Sequence, residues 1–118
     1  MQLPILSFEG LDLMVFATGD EAEGHVEPPD VDVGRTYDAV GQVLRFGTDG
    51  RRVFLHETGE YDADSLRAAI LATFEATGVQ VAAESPLAAL VATATERFAV
   101  ADQLTWLGRV AARFLSDR

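Results

Sequence analysis

The sequence predicts an α+β fold in a single domain, residues 1–118: a small antiparallel β-sheet of about four strands, arranged as a meander, packed with a helical C-terminal half. Three observations predict it. Short β-rich runs separated by Asp and Gly fill the first half of the chain. Apolar residues three and four apart fill the second half. The chain's 118 residues, 48% of them apolar, are enough for one sizeable core. The sheet-rich part is expected over 1–57 and the helical part over 62–116.

Leu11 to Ala17 starts as an alternation, with Leu11, Leu13 and Val15 on one face, and reads as the first strand. Thr18 or Asp20 then caps a short helix whose first turn is acidic, the end that favours negative charge, and Gly24 limits its length. Pro28 and Pro29 force an extended exit. Val31 to Gly34 is a polar connector or a short edge strand.

Arg35 to Asp38 and Gln42 to Phe46 are two strands around a turn at Asp38 to Gly41. Asp at its first position and Gly at its fourth fit a type I turn followed by a bulge. A second turn at Gly47 to Gly50 contains Asp-Gly, a strong hairpin signal, and leads into a strand over Arg51 to Glu57.

Asp62 or Asp64 starts a helix with Leu66, Ile70 and Phe74 on one face, and Gly78 is its natural stop. Ser85 and Pro86 signal a further helix start, with Ser as cap and Pro in the first turn. Leu87, Leu90, Val91, Ala94 and Phe98 continue one apolar face. Leu104, Leu107, Val110, Ala111 and Phe114 form another, with a break expected near 100–102 and Asp102 as a second cap. A single helix over 86–116 is the alternative.

The charge is lopsided. The first 38 residues carry nine acids and one base, Arg35, whereas residues 39–118 carry ten acids and eight arginines. Nearly all of the net charge of −10 therefore lies in the first third. Such a field attracts basic partners, speeds their arrival and repels nucleic acid and anionic lipid. The chain contains no lysine and no asparagine.

Several chemistries lack their residues. Without cysteine there are no disulfides, thiolate metal sites or Cys nucleophile. His25 and His56 are the only histidines and match no zinc or calcium pattern, so neither a metal nor another cofactor is expected. Ser7, Ser65, Ser85 and Ser116 sit in no Gly-x-Ser-x-Gly elbow. Gly47 to Gly50 precedes a strand rather than a helix, which argues against a phosphate loop. A second acidic cluster, Glu57, Glu60, Asp62 and Asp64, surrounds Tyr61. For it to serve an enzyme it would need a concave pocket and a raised carboxylate pKa. No catalytic residue is assigned. The N-terminus has no positive, long-apolar leader, and no run approaches the roughly 20 apolar residues that cross a bilayer, so a cytoplasmic location is expected.

Residues 11–78 carry a pattern of strand, short helix ending in Glu-Pro, Tyr-Asp-x-x-Gly hairpin and amphipathic helix. The residues that carry it are Leu13 to Phe16, Ala22, Glu23, Glu27, Pro28, Val31, Tyr37, Asp38, Gly41, Leu44 and Leu66. In this it resembles small acidic bacterial immunity proteins, each of which blocks one cognate toxin. The resemblance implies binding rather than catalysis and transfers no catalytic residue.

The leading expectation is a non-enzymatic binding protein that masks a basic surface of a partner, with Glu21, Glu23, Glu27, Asp30 and Asp32 steering association. Tyr61 or Trp106 would anchor it, although Trp106 reads first as a core residue. The second expectation is a structural or assembly subunit that forms a homodimer or larger oligomer through residues 86–116.

Overall fold

The structure is a computed structural model and describes residues 1–100. Five strands form one antiparallel sheet: β1 (Ile5–Glu9), β2 (Asp12–Phe16), β3 (Arg35–Tyr37), β4 (Gln42–Thr48) and β5 (Val53–Tyr61), in the order β2-β1-β3-β4-β5. Among the described residues three helices accompany them: α1 (Gly19–His25), α2 (Ala63–Thr77) and α3 (Leu87–Phe98), with a 3₁₀ turn at Pro28–Asp30. The α+β class is as expected, with five strands where about four were expected.

The additional strand is β1. It forms a hairpin with β2 through Gly10 and Leu11, with Glu9 opposite Asp12. Gly10 has a φ of 60° and Leu11 a negative one, the combination of a type II′ turn. The strand expected to begin at Leu11 thus begins one residue later, and Leu11 is an exposed turn residue. Only β3, β4 and β5 form a meander. β1 lies between β2 and β3, so the crossover from β2 to β3 carries α1 and the 3₁₀ turn.

Side-chain alternation divides the core into two layers. Leu6, Phe8, Leu13, Val15 and Tyr37 face α2 and α3, which contribute Leu66, Ile70, Phe74, Leu90, Val91 and Ala94. Ile5, Phe16, Leu44, Phe46 and Val53 face the other way and are covered by Ala22 of α1 with Val26 and Val31. β1 serves both layers, with Ile5, Leu6, Ser7 and Phe8 all buried.

The Tyr37 to Gly41 segment ties the layers together. Asp38 N–H donates to the Gln42 carbonyl at 2.9 Å, and Gly41 N–H to the Asp38 carbonyl at 3.2 Å, which is the expected turn with its bulge. The Tyr37 hydroxyl lies 2.9 Å from that of Ser65 in α2. Gly41 has a φ of 92°, and a Cβ there would fall 2.6 Å from the Ala63 Cα. Only glycine lets this turn meet the start of α2 so closely.

The next turn is shifted from Gly47–Gly50 to residues 49–52. The Asp49 carboxylate accepts from the amides of Arg51 and Arg52, both at 2.9 Å, which hold its carboxyl below the usual range. β5 therefore runs over Val53–Tyr61 rather than Arg51 to Glu57. A bulge at Thr58 to Glu60, with Gly59 at a φ of 73°, lengthens it.

Asp62 caps α2 by accepting from the Ser65 amide at 3.0 Å, and Gly78, at a φ of 75°, ends the helix. Pro86 rather than Ser85 occupies the cap position of α3, and no side chain caps it. The exit ahead of Pro28 and Pro29 is extended as expected, at Val26 and Glu27, but the prolines themselves are not. They enter the 3₁₀ turn, whose first turn needs no amide donor from them. α3 ends at Phe98, and Ala99 is extended and bridges Val15 at the β2 edge, which excludes one helix running through 99. The expected second apolar face from Leu104 to Phe114, the Asp102 cap and Trp106 lie outside the described residues.

Candidate functional site

The acid-rich segment from Thr18 to Asp32 crosses one face of the sheet as α1 and the 3₁₀ turn. Its own residues fix its start. The Thr18 hydroxyl accepts from the Glu21 amide at 3.2 Å, and the Glu21 carboxylate accepts from the Ala17 amide at 3.0 Å. This is a capping box displaced by one residue. One orphan amide of the helix, that of Glu21, and the amide of Ala17 just before the cap are satisfied, and acids occupy the positive end of the helix.

The Glu23 carboxylate accepts from the Leu55 amide at 2.7 Å. Since β5 is an edge strand, this carboxylate occupies an amide that β4 does not use. The first two expected steering residues are therefore half-buried and engaged in holding α1 in place.

Glu27, Asp30 and Asp32 are exposed, as is Asp20, expected only as an alternative cap to Thr18 and not as a steering residue. Among the described residues, no arginine lies within 4 Å of any of these carboxylates, and the one ion pair joins the Met1 amine to Glu57. Their field is therefore not neutralised by direct pairing.

These acids do not converge on one pocket. Glu27 and Asp30 border a shallow cleft of about 210 Å³ with Glu9 and His25. Asp20 and Glu23 line an open trough of about 580 Å³ with Arg51 and Arg52. Asp32 borders a third cleft of about 250 Å³ with Arg35 and Arg45. Among the described residues, no three His, Asp or Glu side chains come together as metal ligands.

Two of the four acids in the second cluster, Asp62 and Glu57, are occupied by structure. Asp62 is the α2 cap. Glu57 pairs with the Met1 amine and accepts from the Gln42 side chain at 3.1 Å. The amine's hydrogen bond, followed by that of Gln42, holds the Glu57 carboxyl below its ordinary range, and the same contact raises the amine. That is the opposite of the raised pKa a carboxylate acid would need. Tyr61 is 67% exposed and stands at the β5–α2 junction, lining none of the three clefts.

Part of this cluster does approach α1. A Cβ on Gly19, the first residue of α1, would lie 3.6 Å from Met1 Cε and 3.8 Å from Leu55 Cδ2. Met1 in turn holds Glu57. The first turn of α1 and Glu57 thus share one neighbourhood around Met1 and Leu55.

Asp38 is 1% exposed. Its Oδ1 accepts from the amides of Val40 and Gln42, at 3.0 and 2.8 Å. Its Oδ2 accepts from the Gln2 amide at 2.9 Å and the Gln42 side chain at 3.3 Å. Burial pushes its carboxyl upward, but these bonds outweigh burial and set it below the ordinary value. Asp38 and Gly41 of the Tyr-Asp-x-x-Gly signature therefore serve the fold.

Comparison with family models, with curated proteins and with solved structures finds no match to this chain.

Proposed function

We propose that this chain is a non-enzymatic acidic protein-binding module whose α1–3₁₀ face covers a basic surface on a partner, in the manner of an immunity protein that masks a toxin. The observation that supports this most is the set of exposed carboxylates on one short segment, Asp20, Glu27, Asp30 and Asp32, none paired with an arginine among the described residues. Unpaired exposed charge on a rigidly fixed segment speeds association and selects against acidic surfaces. Affinity would come from fewer, buried contacts. The segment is well suited to this because Glu21 and Glu23 pin its backbone, so little ordering is required on binding.

The apolar surface behind the self-association reading is reduced in the described part. Leu87, Leu90, Val91 and Phe98 all pack against the core.

The test compares two baits in cell lysate: the natural chain, and a variant with Asp20→Asn, Glu27→Gln and Asp30→Asn. The reading expects a basic protein retained by the natural chain at low salt, released at high salt and poorly retained by the variant. Equal retention by both baits, at either salt, overturns it. No helix among the described residues is long and apolar enough to cross a membrane.

A further inference from the structure

The β3–β4 ladder contains only two registered pairs, Thr36 with Leu44 and Tyr37 with Val43. One step further in the same register would set Arg35 opposite Arg45. Both side chains belong to the face that carries Tyr37 and Val43, by strand alternation. Like charges directly opposite are destabilising, and the ladder stops at this step. β4 continues to Thr48 paired only with β5, so the sheet opens between β3 and β4.

The opening is a cleft of about 250 Å³ lined by both arginines and bounded by the turn at Val31 to Gly34. Its wall is set by the backbone: Gly34 has a φ of 79°, and a Cβ there would collide with the Phe8 carbonyl of β1. Neither guanidinium has an ion-pair partner among the described residues. Arg45's cross-strand neighbour is His56, another nitrogen base. Asp32 borders the cleft without pairing with either arginine.

We propose that this cleft binds a small phosphate-type oxyanion between Arg35 and Arg45. One guanidinium fork saturates the two oxygens of a carboxylate, whereas two forks arriving from different strands suit a tetrahedral ion with more oxygens. The volume lies below the usual range for drug-sized ligands, which limits the occupant to phosphate or a small phosphorylated molecule. An extended polyanion would meet the net charge of −10. A small ion in the cleft meets fewer of those charges, because salt screens the exposed ones more than about 8 Å away at physiological ionic strength. This site does not depend on the acidic-face reading.

The experiment is a titration of inorganic phosphate into the full chain at constant ionic strength, followed by amide NMR. Saturable shifts are expected at residues 34–37 and at Arg45. Arg45→Gln should weaken binding by about tenfold or more, through loss of charge-assisted hydrogen bonds. Asp32→Asn should tighten it severalfold by removing a like charge beside the bound anion. A small phosphomonoester binding as well as or better than phosphate would extend the site to phosphorylated compounds. Linear, unsaturable shifts, equal shifts at Arg51, Arg52, Arg67 and Arg97, or unchanged affinity in Arg45→Gln would each overturn the proposal.

Discussion

The Glu23 carboxylate of α1 and the Leu55 amide of β5 are joined by a 2.7 Å hydrogen bond across 32 residues of chain. The bond occupies a donor on the open edge of the sheet, where an unpaired amide would invite another strand. It also fixes the acidic helix against the sheet, so it links edge protection to the placement of the candidate binding face.

Glu23→Ala should therefore lower stability by about 1–3 kcal/mol, the usual cost of leaving such a donor without its charged acceptor. Urea unfolding measures the loss. Hydrogen exchange locates it, and the Leu55 amide should exchange faster in the variant. An unchanged Leu55 rate would show that water or another acceptor serves as well. Charge reversal at Glu23 is for the same reason a poor probe of steering, because it would move α1 as well as change the field.

Steering is better read at Asp20, Glu27 and Asp30, which hold no described ion pair. Neutralising all three should leave stability within about 0.5 kcal/mol per site, as for ordinary surface positions. Association with a captured basic partner should slow and lose much of its salt dependence. On-rates that stay the same across salt concentrations in both proteins would remove the electrostatic account. Asp32 is left intact in this variant because it borders the Arg35–Arg45 cleft, which keeps the two tests separate.

Much of the fold was legible in local signals. Asp62 and Gly78 bound α2 as expected, and the Asp38–Gly41 turn has its expected form. β1 was not, for a physical reason. It is an interior strand and serves both core layers, so Ile5, Leu6, Ser7 and Phe8 read as a run instead of an alternation. The signal that was available was Gly10, which suits the first position of a two-residue II′ turn. For the site, the charge run could be read directly, but not its division of labour. That Glu23 is engaged by Leu55 while Asp30 remains free depends on a tertiary contact. The apposition of Arg35 and Arg45 depends on strand register, which the nine intervening residues do not reveal on their own.

Gly41 and Gly50 allow packing to be separated from backbone strain. Their φ values are nearly equal, 92° and 94°, but a Cβ on Gly41 meets Ala63 backbone at 2.6 and 2.8 Å whereas one on Gly50 meets nothing within 4 Å. Gly50→Ala should cost about 1–2 kcal/mol of left-handed strain. Gly41→Ala should cost that and a further 1–3 kcal/mol, as the turn is pushed off the start of α2. Thermal or urea unfolding of the pair decides the matter. Equal losses would mean that the turn and helix separate freely, and that Gly41 is needed only for its φ.

Asp38 gives the fold a defined acid sensitivity. Its carboxyl is set below the ordinary value by its hydrogen bonds despite burial, so the folded state prefers it ionised. The resulting stabilisation is complete above the unfolded pKa of about 3.9 and is lost as pH falls through the lower folded value. Asp38→Asn should remove this dependence and lower stability at neutral pH by about 1–3 kcal/mol. The reason lies in the donor set. Oδ1 serves the Val40 and Gln42 amides, and Oδ2 the Gln2 amide and the Gln42 side chain. An asparagine amide nitrogen would turn a donor toward one of these donor pairs whichever way it is oriented. Denaturant midpoints at neutral pH and at about pH 3 for both proteins test this, with the acid-induced loss expected to be smaller in the variant. Parallel losses in the two would assign the acid sensitivity to other carboxylates, with Glu57, also held low by its partners, the next to replace.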